Sequence, residues 1–196
     1  SNITQKFIAG LPFEPTAAQT RVADELAADM AQPQPMLRLV QGDVGSGKTL
    51  IAAQATLDTI AAGYQVAFMA PTELLAEQHH ANLANWFDAL GLSVAWLSGR
   101  TRGKARQAVL DQLAHGQAPV VVGTHALIED NVMFHRLGLI IVDEQHRFGV
   151  HQRLSLADKG ANEEHPHQLA LTATPIPRSL AMVAYGDLDC SIIDEL

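Results

Sequence analysis

Short apolar runs alternate with amphipathic segments along most of this chain. Runs with the length and composition of buried β-strands cover residues 36–41, 65–70, 93–97, 119–123, 138–142 and 168–172. The segments that are rich in Ala and Leu with interspersed charges, as amphipathic helices are, cover residues 16–31, 48–62, 73–89 and 102–115. This alternation predicts an α/β fold of three layers (α/β/α), in which helices cover both faces of a central, mainly parallel sheet.

The loops that follow the predicted strands are where chemistry is expected. In a parallel α/β sheet, ligands bind beyond the carboxyl ends of the strands. Polar or glycine-containing stretches begin where the strands are predicted to end, at Gly42–Thr49, Ala70–Glu73, Gly123–His125, Asp143–His146 and Thr172–Thr174. The sequence therefore predicts one functional edge of the sheet.

The first of these loops fits the phosphate-binding pattern G-x-x-x-x-G-K-[ST]. It lies between a predicted strand and a predicted helix, which is the context that the pattern requires. Lys48 is expected to contact the β- and γ-phosphates of a nucleotide, and the Thr49 hydroxyl to ligate Mg²⁺. The full loop consists of Gly42, Asp43, Val44, Gly45, Ser46, Gly47, Lys48 and Thr49.

Composition limits the remaining function classes. The 196 residues are 47% hydrophobic, which suits one domain with a sizeable core. A lone cysteine, Cys190, excludes an intrachain disulfide and favours a cytoplasmic protein, and no apolar run has the length of a membrane span. Because the net charge is −8, any nucleic-acid site is expected to be local.

An acidic pair ends the apolar run before residue 143. Asp143 is expected to hold Mg²⁺ from the outer shell, through the water around the ion. Glu144 is expected to orient or deprotonate the attacking water, because in-line attack on a γ-phosphate needs a positioned nucleophile. Together with the phosphate loop, the pair indicates metal-dependent hydrolysis of a nucleoside triphosphate. Lys48, Asp143 and Glu144 are thus the predicted catalytic residues.

The motifs resemble those of superfamily 2 helicases and translocases over residues 13 to about 190. Asp143-Glu-Gln-His146 resembles their DExH box, and Phe13-x-x-Thr16-x-x-Gln19 resembles the motif that contacts adenine. Ala70–Gln78, Gly123–Ala126 and Thr172–Thr174 resemble motifs Ia, Ib and III. The resemblance implies a RecA-like domain that binds ATP and Mg²⁺.

The same resemblance assigns further roles. It implies that Gln19 and Phe13 contact adenine. It also implies that four residues couple the state of the γ-phosphate to movement of the DNA lobe, namely Gln145, His146, Thr172 and Thr174.

A narrower resemblance is to the RecG family of ATP-dependent DNA helicases, which remodel stalled replication forks and branched recombination intermediates. It rests on Gly42–Gly45, Asp143–Val150 and Thr172–Arg178. Gln145 favours this family over the transcription-repair coupling translocases, which typically have glutamate there, as does the segment 182–187. The implied partners are ATP, forked or branched DNA, and a second RecA-like lobe in cis, with no membrane.

No single sequence motif identifies the residues that could contact DNA. Arg100, Arg102, Lys104 and Arg106 form a basic cluster that is either a solvated face or a phosphate contact. Small or hydroxyl-bearing residues at strand ends could let the backbone approach a phosphate strand. The DNA candidates are Thr72, Gly99, Arg100, Thr124 and His125.

The remaining histidines and the tryptophans are expected to be structural. His79, His80, His165 and His167 lack the company of metal ligands and are predicted to lie on the surface. Trp86 and Trp96 are predicted to anchor the core.

Residues 1–196 are expected to form the first motor lobe of a longer enzyme, without the second lobe and without an upstream DNA-reading domain. In this interpretation they bind ATP·Mg²⁺ weakly and hydrolyse it negligibly on their own. Two other classes use a phosphate loop: a small-molecule kinase and a nucleotide-sensing module. The ordered helicase-like segments favour the motor.

Overall fold

The computed structural model describes residues 1–43, 47–143, 159–160, 165–173 and 189–193. Its helices are α1 (Asn2–Ala9), α2 (Ala17–Met30), α3 (Lys48–Ala61), α4 (Glu73–Asp88) and α5 (Gly103–Ala114), with a short 3-10 helix at His125–Ile128. Its strands are β1 (Leu37–Gln41), β2 (Gln65–Met69), β3 (Val94–Leu97), β4 (Val120–Gly123), β5 (Leu137–Asp143), β6 (His167–Thr172) and β7 (Asp189–Ile192).

The seven described strands form one sheet in the order β3-β4-β2-β5-β6-β1-β7. Every pairing in it is parallel. The α/β fold with a central parallel sheet is therefore confirmed, and each predicted strand and helix has a counterpart. Helix α1 and strand β7 were not predicted.

Alternate side chains of the strands pack on opposite faces, as strand geometry requires. Val66, Phe68 and Ile141 belong to the core cluster that also contains buried residues of α1 to α4. Ala67, Met69 and Ile140 belong to a second cluster, which includes Leu110 and Leu113 of α5. Because both faces of the sheet are covered, its central strands are apolar at almost every position.

Three of the four histidines are buried or partly buried, so the prediction that they lie on the surface was wrong for these three. His79 is buried, with 8% of its surface exposed. His80 is partly buried, and its Nε2 lies 2.9 Å from the Val94 carbonyl oxygen. His167 accepts a hydrogen bond from the Met36 amide on Nδ1 at 2.8 Å. His165 is exposed, as predicted.

Both tryptophans pack against the main core cluster, as predicted, although each is only partly buried. Trp86 makes an edge contact with Phe7 of α1, with the ring centroids 5.7 Å apart. Trp96 makes an edge contact with His80 at 5.5 Å. Helix α1 is thus held on the domain by an aromatic contact with α4.

His167 is expected to make folding stability depend on pH. Burial lowers its pKa from the ordinary value of 6.5, outweighing the opposite effects of Asp29 and the Met30 carbonyl. The unfolded chain therefore binds more protons just below pH 6.5, and the free energy of unfolding is expected to fall as the pH drops below that value. Denaturation between pH 5 and 8 measures this. His167→Gln is expected to flatten the slope, whereas exposed His165→Gln is expected to leave it; an unchanged slope in the first variant would contradict the assignment.

Candidate nucleotide site and adjoining strand ends

The carboxyl ends of β1, β6 and β5 bring the predicted nucleotide residues together. The Gly42 amide, directly after β1, donates to the Thr172 carbonyl oxygen at the end of β6 (3.1 Å). Asp143, the last residue of β5, lies opposite Leu171 of β6 in the register. The base of the phosphate loop, Thr172 and the first acid of the DExH box therefore share one stretch of the sheet edge.

The described part of the phosphate loop has the backbone that a phosphate cradle needs. Gly47 is the N-cap of α3 and has φ 90°, a left-handed conformation that favours glycine. The α3 helix begins at Lys48, so its positive dipole end faces the loop. Lys48 Nζ donates to the carbonyl oxygen of Gly42, the first residue of the loop, at 2.7 Å. Asp43 is exposed, and Val44, Gly45 and Ser46 lie outside the described residues.

Gln19 lies against the phosphate loop. A Cβ added to Gly47 would come within 2.2 Å of Gln19 Nε2, so this side chain fills the space that glycine leaves. The Gln19 Oε1 accepts from the Thr16 amide (2.9 Å) in a capping box that starts α2. The same glutamine thus caps its own helix and borders the nucleotide loop. Phe13, the other predicted adenine contact, is 49% exposed.

A histidine that sequence reasoning missed connects the two halves of the site. His79 Nε2 lies 2.5 Å from Asp143 Oδ2, and His79 Nδ1 lies 3.4 Å from Thr49 Oγ1. Both Asp143 and His79 are buried. Thr49 and Asp143, the two residues predicted to hold Mg²⁺, are therefore hydrogen-bonded to the same imidazole ring.

These residues fit a magnesium ion. Mg²⁺ prefers oxygen ligands and retains water while it bridges protein carboxylates and nucleotide phosphates. The hydroxyl of Thr49 and the carboxylate of Asp143 supply such oxygens beside the start of α3, where the phosphates are expected. Thr172 is buried at the adjacent strand end. Glu144, Gln145, His146 and Thr174 lie outside the described residues, so their roles stay predictions.

The DNA candidates lie on the other half of the same edge, after β2, β3 and β4. Thr72 is the N-cap of α4 and accepts from the Leu75 amide at 3.2 Å. Arg100, which is 88% exposed, contacts Glu73 through Nε at 3.2 Å. This ion pair brings the loop after β3 to the first turn of α4. Gly99 is exposed beside Arg100.

Backbone hydrogen bonds tie the loop after β4 to its neighbours. The Thr124 amide donates to the Leu97 carbonyl (3.3 Å), and the Ala70 amide donates to the Gly123 carbonyl (3.0 Å). Thr124 is buried, and within the described part of the chain its Oγ1 is one of two buried side-chain polar atoms without a hydrogen-bond partner. His125 is exposed at the start of the 3-10 helix.

Gly123→Ala is expected to destabilise the domain. A Cβ at this position would lie 1.9 Å from the Leu97 carbonyl oxygen, which belongs to the backbone of the neighbouring strand. Overpacking of this kind costs about 1–3 kcal/mol or more, and a backbone obstacle should place the cost at the upper end. Chemical denaturation measures the loss. Gly99→Ala is the matched control, since its Cβ would meet no atom within 4 Å; equal stability of both variants would refute the steric argument.

The basic cluster does not form one continuous cationic face. Arg106 donates to Glu129 Oε2 at 2.6 Å, so its charge is compensated. Arg100 has the Glu73 partner described above, whereas Arg102 and Lys104 are exposed at the start of α5. The cluster is therefore a set of separate charges around the ends of β3 and α5.

Comparison with known proteins places this geometry in a family. The model of the DEAD/DEAH box helicase family matches residues 16–183, which include the phosphate loop and the DExH box. The chain belongs to the DEAD/DEAH box helicase family.

Within this family the chain is most informatively compared with RecG proteins. It is 61% identical over 197 residues to the ATP-dependent DNA helicase RecG of Pasteurella multocida (strain Pm70), covering 100% of this chain and 28% of that protein. It is also 61% identical over 195 residues to RecG of Escherichia coli (strain K12), covering 99% of this chain and 28% of that protein. The predicted resemblance to RecG is confirmed, and the coupling translocases are not favoured. The chain spans only about a quarter of the length of these relatives.

Solved structures agree with this assignment. A structure of RecG bound to a three-way DNA junction superposes with a TM-score of 0.84 at 42% identity, covering 100% of this chain and 26% of the RecG chain. The DUF1998 helicase MrfA bound to DNA and AMPPNP superposes with a TM-score of 0.73 at 18% identity, covering 100% and 29% of the two chains, and it supports the fold alone. Among the described helices, none is long and apolar enough to cross a membrane.

Proposed function

We propose that residues 1–196 are the ATP-binding first motor lobe of a RecG-like, ATP-dependent DNA helicase. Such an enzyme would remodel stalled replication forks and branched recombination intermediates. The observation that carries the proposal is the division of one sheet edge. Its β1, β6 and β5 ends hold the predicted nucleotide residues, and its β2, β3 and β4 ends hold the DNA candidates.

The described residues supply the binding half of the ATP site. The ammonium of Lys48 already lies against the Gly42 carbonyl oxygen and would exchange it for phosphate oxygens. The dipole of α3 and the loop amides favour the same anion. Thr49 and Asp143 would hold Mg²⁺, which neutralises charge that develops on the phosphates when it is bound. Gln19, whose side chain lies next to Gly47, would select the base.

Hydrolysis needs two further groups. Glu144, which follows Asp143 in the sequence, would accept the proton of the attacking water. A second RecA-like lobe in cis would contribute arginines across a cleft, and an equivalent arginine raises the rate by about 10³–10⁵ in related enzymes. Residues 1–196 alone are therefore expected to bind ATP weakly and to turn it over negligibly.

ATP hydrolysis would be coupled to DNA through the carboxyl edge of the sheet, which the two predicted sites share. Thr172, at the end of β6, lies between the ends of β1 and β5. In the sequence, Gln145 and His146 follow β5, and Thr174 follows β6. A change at the γ-phosphate would reach the loops after β2, β4 and β3 through these neighbours. Thr72, Gly99, Arg100, Thr124 and His125 would follow the DNA backbone, a role consistent with a cytoplasmic location.

The test is the ATPase rate of the full-length protein without DNA, with linear duplex and with a forked duplex. A motor of this kind is expected to be stimulated strongly, and most by the fork. Stimulation by a small phosphate acceptor would indicate a kinase instead, and ATP binding without turnover under any condition would indicate a sensor. An ATPase rate that is the same without DNA, with linear duplex and with forked duplex would contradict the proposal.

A further inference from the structure

His79 lies in the apolar stripe of α4 that faces the sheet. The buried residues of this helix are Ala76, His79, Leu83 and Phe87, so the imidazole occupies a position otherwise given to apolar side chains. Its ring packs on Phe68 of β2, with the centroids 4.5 Å apart and the planes tilted by 34°. The orientation of the ring is therefore fixed by packing before any ligand binds.

The two ring nitrogens have different partners, and these partners define the tautomer. A carboxylate only accepts hydrogen bonds, so Nε2 carries the hydrogen that lies between it and Asp143 Oδ2 (2.5 Å). In the neutral ring, Nδ1 is then an acceptor, and the Thr49 hydroxyl, 3.4 Å away, is the donor. One ring thus orients both a hydroxyl and a carboxylate.

The two hydrogen bonds of His79 affect how Thr49 and Asp143 can face a metal ion. A hydroxyl that ligates a cation must turn a lone pair toward the cation and its hydrogen away from it. His79 Nδ1 accepts the hydrogen of the Thr49 hydroxyl, so that a lone pair of this oxygen can face the cation. His79 Nε2 donates to Asp143 Oδ2, so that Oδ1 can face water or metal. Groups behind metal ligands commonly act in this way.

We propose that His79 is a positioning residue that fixes the Thr49 hydroxyl and the Asp143 carboxylate for Mg²⁺. This role rests on the proposed ATP·Mg²⁺ site. It explains why a polar side chain occupies the core-facing stripe of α4, and it assigns His79 no contact with the nucleotide itself.

The experiment compares three full-length proteins: wild type, His79→Phe and His79→Gln. Phenylalanine retains the packing on Phe68 without hydrogen bonds, whereas glutamine restores one donor and one acceptor. The affinity for a fluorescent ATP analogue is measured with excess EDTA and across a Mg²⁺ titration. The phenylalanine variant is expected to lose about 10–100-fold in the Mg²⁺-dependent part of the affinity, with the EDTA value unchanged. The glutamine variant is expected to recover most of this loss, which a purely structural role would not produce.

A second measurement uses the wild-type protein and does not depend on the folding of any variant. Nitrogen-15 NMR of the histidine side chains is expected to show His79 as the Nε2-protonated tautomer. The Nδ1-protonated tautomer, or an unchanged Mg²⁺ dependence in His79→Phe, would overturn the positioning role while the ATP site stands. Failure of the wild type to bind the analogue with or without Mg²⁺ would instead refute the proposed function and this role with it.

Discussion

Lys48→Ala is expected to abolish ATP-driven activity of the full-length protein. Lys48 Nζ donates to the Gly42 carbonyl at 2.7 Å, so the ammonium lies beside the first residue of the loop, close to where the β- and γ-phosphates are expected. Its removal leaves the developing negative charge to the loop amides and the dipole of α3. Loss of one preorganised donor of this kind lowers turnover by about 10²–10³, and the loss of a full charge is expected to be at least as large.

Steady-state phosphate release with forked DNA measures this effect, and fluorescent-ATP binding shows how much of it comes from affinity. Lys6→Ala is the matched control, because Lys6 is exposed on α1. A Lys48→Ala protein that hydrolyses ATP at the rate of the Lys6→Ala control would rule out the assigned role.

Glu144→Gln is expected to separate ATP binding from hydrolysis. The amide keeps the size of the carboxyl group but cannot accept the proton of the attacking water, and general-base catalysis contributes about 10²–10⁴ to a rate. Lys48, Thr49 and Asp143 are unchanged in this variant, so ATP affinity is expected to stay near the wild-type value. Equilibrium binding and single-turnover hydrolysis, measured on the same preparation, distinguish the two effects.

The control for this variant is Glu77→Gln, since Glu77 is exposed on α4. It is expected to match the wild type in both measurements. If Glu144→Gln hydrolysed bound ATP as fast as this control, the general base would have to be another residue.

The sheet could be predicted because its central strands are buried on both faces. Such strands appear in the sequence as continuous apolar runs, as in Leu139–Val142. Strand β7 lacks that signal: Asp189–Ile192 is a short polar segment at the edge of the sheet, held by backbone pairing with β1. Helix α1 has two turns, and its packing on α3 and Trp86 is a tertiary contact that no local pattern encodes.

Those residues of the candidate site that belong to a sequence motif could be identified from the sequence. The phosphate loop and Asp143 have strict local patterns, because backbone and phosphate geometry fix the residue types. His79 has no such pattern, and the role proposed for it depends on contacts among α3, α4 and β5. One signal was available: His79 keeps helical spacing with Ala76, Leu83 and Phe87, which places it on the buried side of α4.

The basic cluster of residues 100–106 could be recognised in the sequence, but the partners of its charges could not. Arg106 looked like part of a basic cluster in the sequence, but it pairs with Glu129, 23 residues away along the chain. Charge patterns identify cations, whereas the fold decides which of them are already neutralised. Exposed Arg102 and Lys104 are the members of the cluster without such a compensating ion pair among the described residues.

Strand β1 pairs with two strands, β6 and β7, that lie far from it in the sequence, and this affects the order in which the sheet can form. Although β1 comes first along the chain among the described strands, both of its neighbours, β6 and β7, begin at residue 167 or later. Parallel pairing between segments so far apart in sequence is slow to form, since a long loop must close first. The base of the phosphate loop is held by Thr172 and by the Ile193 amide, which donates to the Gln41 carbonyl at 2.8 Å. The base of the proposed nucleotide site is therefore expected to form only after β6 and β7 have paired with β1, so a ligand at this site would stabilise the domain only from that point on.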